Sequence, residues 1–191
     1  MTWNPRYLLW TDIETSGLNV EDDNILEMSV GVAEFKNPFT LIQDKIFTKV
    51  FGYKNLIEIG AGNYDVIKMH TLNGLIDDCL KAAPVAFSIY FNDFRNFIQD
   101  LGITLEKDEK FVIAGASCSF DKAFIMSRYS IFPLHYRTYD VSSLRLFCHS
   151  VGMPEDFIPK IENKKHRAES DLRDSINLGK LCNEWLLTYI A

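Results

Sequence analysis

Two carboxylates, Asp12 and Glu14, follow directly on the compact apolar run over residues 7–11. The run reads as a buried strand, and strand side chains two apart share a face, so both acids aim at a common point. Neighbouring carboxylates repel, and a cation offsets that cost. The fold must therefore bring the end of a core strand to a place that a cation or water can reach. Taken alone, Asp12-Ile13-Glu14-Thr15-Ser16-Gly17 has as its simpler alternative a strand end that merely exposes its acids.

The rest of the chain supplies a setting for that strand. Residues 25–35 suit a second strand, with a turn-rich loop over 16–24 between the two, and 41–51 is β-compatible, which makes a three-stranded meander. After the break at Gly60-Ala61-Gly62 the apolar spacing turns helical over 66–80 and 85–101. The charge run 106–110 reads as a solvated loop before a short strand at 111–114. A helix over 120–129, a brief strand at 137–140 and a helix over 141–151 follow. Pro154 and Pro159 punctuate a loop that ends at Lys164-Lys165. From His166, Leu172, Ile176, Leu178, Leu181 and Trp185 mark a long amphipathic helix. This mixture predicts an α/β fold in a single domain over 1–191, with no internal repeat.

Bulk properties narrow the function classes. At 191 residues, 47% of them hydrophobic, the chain can bury a sizeable core. Its formal net charge of −6 argues against coating long nucleic acid with a broad basic surface. A nuclease whose acids are neutralised by cations can still be acidic overall, above all if its substrate is short. Cys79, Cys118, Cys148 and Cys182 are far apart, so neither a zinc site nor a redox pair is suggested, and reduced, buried thiols are expected. Apolar runs fall far short of the roughly 20 residues that span a bilayer, so no membrane contact is expected. The start of the chain lacks a signal-peptide pattern, and a cytoplasmic setting is the expectation.

Two further signals carry chemistry. Asp121 comes just after the strand at 111–114, at the start of a helix, where by itself it reads as an ordinary first-turn acid. His166 and Asp171 stand five apart at the start of the last helix, where both can reach one pocket, although a lone His is more often solvated or capping. Together the order Asp-x-Glu, Asp, His-x-x-x-x-Asp resembles the DEDDh exonuclease superfamily over nearly the whole chain. The resemblance implies a ribonuclease H-like fold, a mixed central β-sheet flanked by α-helices. It also implies 3′-to-5′ exonuclease activity, with Asp12, Glu14, Asp121 and Asp171 holding two divalent cations and His166 as general base.

The residue types suit that chemistry. Phosphodiester cleavage needs an activated water and relief of charge at the leaving oxygen, which two metals can supply. Hard carboxylate oxygens favour Mg²⁺ or Mn²⁺ over zinc. A histidine whose unperturbed pKa lies near 6.5 can accept a proton from the attacking water at neutral pH. Asp174, one helical step beyond Asp171, reads as a supporting residue or, more simply, a solvated helix acid.

Within the superfamily the chain is most similar to oligoribonucleases, which degrade very short RNA to mononucleotides. His70-Thr71-Leu72-Asn73-Gly74-Leu75 resembles that family's His-Thr-x-x-Gly-Leu segment, and the segment 135–144 resembles its His-Tyr-Arg-x-x-Asp-Val-Ser-x-Leu segment. Gly115-x-Ser117 resembles its Gly-Asn-Ser. The resemblance implies that Ser117, Arg137 and Ser142 cap a 5′ phosphate, that Leu18 wedges against a base, and that His70 and Tyr136 contact substrate. It also implies a homodimer acting on short single-stranded oligonucleotides, RNA before DNA. An Arg fork and two hydroxyls are good phosphate donors, while Ser142 as a plain helix cap and Arg137 as a plain surface residue are the simpler alternatives.

Three departures bear on length preference. Thr15-Ser16 replaces the family's Met-Thr, Ala116 replaces its Asn, and Asp65, beside Tyr64, stands where it places a Trp. The first is closer to proofreading exonucleases and ribonuclease T, so a broader exonuclease on single-stranded DNA or RNA is the main alternative. A catalytically dead nucleic-acid binding module is the other, opposed by the presence of all five motif residues.

Overall fold

Alternation along the first strand sorts the molecule into two layers around one sheet. The computed structural model describes residues 5–36, 39–60, 63–84, 86–130, 132–160 and 164–190. Ala61, Gly62 and Val85, on which the expected break and the start of the second expected helix fall, lie outside the described residues. Strand β1 (Tyr7–Thr15) runs past its expected end, so Asp12 and Glu14 lie within it. Strand β2 (Ile25–Glu34) pairs antiparallel with β1, placing Asp12 opposite Ser29 and Glu14 opposite Glu27.

The third strand is shorter than expected. Gln43 and Asp44 adopt left-handed φ values of 57° and 51°, which cannot continue a ladder, so only β3 (Phe47–Val50) pairs with β2. Helix α1 (Leu56–Ile59), which the apolar spacing did not signal, is capped by the Asn55 side chain accepting from the Glu58 N–H. The helical stretch over 66–80 forms two helices, α2 (Tyr64–Leu72) and α3 (Leu75–Lys81), parted where Gly74 turns left-handed at φ 82°.

Helix α4 (Phe87–Asp100), β4 (Phe111–Gly115), α5 (Ser119–Arg128), β5 (Leu134–Asp140) and α6 (Val141–Ser150) follow, and α7 (Ala168–Ile190) ends the chain. The sheet order is β3-β2-β1-β4-β5, with β4 parallel to β1 and β5 parallel to β4. The mixed α/β architecture agrees with the sequence expectation.

On one face Leu9, Ile13, Met28 and Ile113 pack with Phe94 of α4 and Phe124 of α5. On the other, Leu8, Trp10, Val112 and Ala114 pack with Val141 of α6 and Leu172 and Ile176 of α7. Each such side chain contributes about 1.5–3 kcal/mol on burial, and a one-residue slip would turn every one to the wrong face. The even-numbered row of β1 thus faces α7, and Asp12 and Glu14 continue it. Pairing of β1 with β4 ends at Trp10 and Ala114. There the backbones cross closely: a Cβ on Gly115 would lie 2.6 Å from the Thr11 carbonyl oxygen. Beyond that point the parallel strands part, and a crevice at the carboxyl ends of such strands is where ligands bind. Among the described residues no helix is long and apolar enough to cross a membrane, and the four cysteines are buried and free.

Candidate active site

The crevice gathers the acids. Carboxylate oxygens of Asp12, Glu14 and Asp171 lie within 4.8 Å of one another. Asp171 sits in the first turn of α7, the positively polarised end that suits an anion. Burial, then the charges of Asp121, Glu14 and Asp171, push the Asp12 carboxyl up to about 9. Burial, then Asp171 and Glu27, push Glu14 up to about 8. Without a cation, burial first and mutual repulsion second favour the protonated forms of Asp12 and Glu14.

Asp121 is near but outside that trio. Its Oδ1 accepts a hydrogen bond from the Ile13 N–H at 2.9 Å, a donor left over where β1 and β4 part. Burial raises its carboxyl to about 7 even so. Asp174 is half-buried, and burial together with the charge of Asp171 raises its carboxyl.

A divalent cation fits this set. The donors are hard oxygens, and Asp171 Oδ1 is buried with no hydrogen-bond partner among the described residues. Its other oxygen, Oδ2, is 2.9 Å from the Lys164 ammonium. Burial works against that ammonium, yet the hydrogen bond to Asp171 and the charges of Asp171, Asp12 and Glu14 raise its pKa above the ordinary lysine value. Lys164, read from sequence only as the end of a loop, is the site's own counter-charge.

The two histidines differ sharply. His166 is half-buried, outside α7, with a left-handed φ of 48°. It borders a groove of about 700 Å³ lined also by Lys68, Leu72, Lys164 and Lys165. His70 departs from its expected place at the substrate surface. Its ring is 1% exposed, with Nε2 3.5 Å from Glu14 Oε2 and a hydrogen bond with the Thr15 backbone. Burial lowers its pKa, so at neutral pH it is a neutral ring behind Glu14.

Two of the three expected phosphate donors, Ser117 and Ser142, meet at the ends of β4 and β5. The Ser117 hydroxyl donates to Ser142 Oγ at 3.5 Å. Asp140 joins them: its Oδ1 accepts from the backbone N–H groups of Ser117, Ser142 and Ser143 at 3.1, 2.9 and 3.3 Å. Ser142 therefore sits in the first turn of α6, and Asp140 is its cap. The Arg137 guanidinium lies 4.6 Å from the centroid of the exposed Tyr136 ring. Leu18 is 73% exposed on a loop closed by buried Asp23, whose carboxylate accepts from the Asn19 N–H and fills the space a Cβ on Gly17 would need. Tyr64, beside Asp65, is also exposed.

Asp140, Lys164 and Glu27 were missed as site residues. Asp-x-Ser at a helix start signals the first, and an acid amid the apolar residues 25–32 signals the last.

No family model matches the chain. It is 31% identical over 194 residues to an oligoribonuclease of Tropheryma whipplei (strain Twist), covering 98% of this chain and 97% of that one. The oligoribonuclease of Wigglesworthia glossinidia brevipalpis is 28% identical over 193 residues, covering 91% and 89%. Among solved structures, cell-death related nuclease 4 superposes with a TM-score of 0.61 at 14% identity, over 94% of this chain and 64% of that one. The zinc-bound E. coli exonuclease I complex with single-stranded DNA superposes at 0.59 with 16% identity, over 97% and 43%. This chain thus spans less than two thirds of either solved chain, and the shared fold is the ribonuclease H-like one of exonucleases.

Proposed function

Since this chain belongs to the oligoribonuclease family, and is thereby a 3′-to-5′ exonuclease acting on oligonucleotides, we propose that it prefers very short substrates bearing a 5′ phosphate. The proposal extends to two Mg²⁺ or Mn²⁺ ions held by Asp12, Glu14, Asp121 and Asp171, and to His166 as general base. The observation that carries the metal site is the convergence of mutually repelling carboxylates, two of them buried, on an Asp171 oxygen that has no partner among the described residues.

When bound, the cations would lower the pKa of an attacking water and offset charge on the leaving oxygen. The chain's own residues do the rest. His166 takes the proton from the attacking water. His70, neutral and buried, keeps Glu14 in place. The Ser117 and Ser142 hydroxyls and the Arg137 fork receive the 5′ phosphate, and Leu18 and Tyr136 present apolar surface to bases. A chain of net charge −6 offers little to hold a long backbone, which favours short strands.

RNA is the favoured substrate, with DNA possible. A homodimer is supported by the exposed Leu146 and Phe147 of α6, and a reducing, cytoplasmic setting by the free cysteines. A broader exonuclease on single-stranded nucleic acid is the second reading, favoured by Asp65 in the place of an aromatic. Competition between a 5′-phosphorylated dinucleotide and a strand of about twenty nucleotides separates the two, because a cap and a backbone-binding groove predict opposite trends. The dinucleotide is expected to disappear first. Equal or faster loss of the long strand rejects the cap.

A further inference from the structure

Glu27 is an acid in the sheet interior, 2% exposed, opposite Glu14 in the strand register. Arg167 meets it with a two-pronged contact: Nε donates to Oε1 and Oε2 at 3.2 and 3.0 Å, and Nη2 donates to Oε1 at 2.7 Å. The Ala168 N–H adds a further bond to Oε2 at 2.9 Å. Arg167 Nη1 also reaches Asp78 of α3 at 3.0 Å. From the other side, the Asn73 amide donates to the carbonyls of His166 and Lys165 at 2.7 and 3.3 Å, while its oxygen accepts from the Leu75 N–H.

Four consecutive residues, Lys165 to Ala168, are thus tied to β2, to α3 and to the α2–α3 turn. At their centre is His166, whose left-handed φ of 48° is costly for a residue with a Cβ and persists only when its surroundings over-determine it. A clamp that served only to fasten α7 to the sheet would not need to grip the two carbonyls that precede the helix.

We propose that Glu27, Arg167 and Asn73 are positioning residues that hold His166 in this strained conformation and so set the aim of its ring. The inference rests on His166 being the base. Misplacing a catalytic group by about 1 Å costs roughly a hundredfold in rate. The test is a double-mutant cycle on kcat with a 5′-phosphorylated dinucleotide and saturating Mn²⁺. Arg167→Met and Asn73→Ala are each expected to lower kcat about 10- to 100-fold with KM changed less than about threefold. In a His166→Ala background the same changes should alter kcat less than about twofold, because there is no ring left to aim. Glu27→Gln, which keeps the shape, guards against loss of fold and should behave alike. Unchanged kcat in the single variants, or the same fold loss in both backgrounds, overturns the clamp while leaving His166 as base. An unimpaired His166→Ala enzyme overturns the base itself, and the inference with it.

Discussion

The acids at the end of β1 and the hydroxyls at the ends of β4 and β5 are built on opposite principles. Asp140 spends its carboxylate on three backbone N–H groups, and the two serine hydroxyls it orders bond to each other, so that region is complete within the chain. Asp12, Glu14 and Asp171 crowd together with an unpartnered oxygen and only Lys164 as a nearby cation among the described residues. Under the proposed function the first arrangement would present its two hydroxyls to an anion. The second is stable only with added positive charge, supplied by protons, by Lys164 or by a metal. Under the proposed function the second region carries the chemistry and the first the choice of substrate.

The largest effect should come from the incomplete region. Asp12→Asn or Asp171→Asn is expected to reduce turnover on the order of a thousandfold or more, with far-ultraviolet circular dichroism unchanged. In chelator the Asp12→Asn protein should melt no lower than the parent, since one of a set of repelling charges has gone. A marked fall in Tm would make Asp12 a structural acid and blur the contrast.

Next in size, His166→Ala should lose roughly 10²- to 10⁴-fold in kcat while keeping the rise in Tm that the metal produces. Loss of that rise would move His166 among the metal ligands. In the complete region, removing one charge-assisted phosphate contact costs about 1.5–3 kcal/mol, so Arg137→Ala should lower kcat/KM on a 5′-phosphorylated dinucleotide roughly 10- to 150-fold. On the same dinucleotide without that phosphate it should do almost nothing. An equal drop on both would mean that Arg137 acts elsewhere.

The smallest effect is on stability. Asp12 and Glu14, pushed up to about 9 and about 8, stay protonated in the folded, metal-free protein at pH values where the unfolded chain, with carboxylates near pKa 4, has released those protons. Folding takes up protons across that window. The stabilisation is therefore full below about pH 4 and is lost as pH rises toward about 9. Each kcal/mol lost lowers Tm by roughly 2–4 °C for a chain of this size. Scanning calorimetry in chelator should show Tm falling from about pH 5 to about pH 9, with a shallower slope in Mn²⁺. A Tm that rises over the same range in chelator would show the acids to be comfortably ionised.

Much of this was visible in residue order. Apolar alternation followed by Asp12 and Glu14 placed the acids on one strand face, and Leu172 with Ile176 foretold the helix that covers it. What escaped depended on contacts far apart in sequence. The start of β3 turns on two left-handed residues that apolar spacing does not register, and the split of α2 from α3 on Gly74. His70 could not be known to be buried until α2 was seated behind β1, and the partner of Arg167 was hidden until β2 brought Glu27 beneath it. Lys164 precedes the motif by only two residues, yet its role appears only once Asp171 is folded back toward it.

The most direct test of the central claim is hydrolysis of a 5′-phosphorylated dinucleotide, first in excess chelator and then with Mg²⁺ or Mn²⁺ restored, in the parent and in Asp171→Asn. The account predicts no turnover by either protein in chelator, and recovery with metal in the parent alone. Full turnover by the parent in chelator would contradict it.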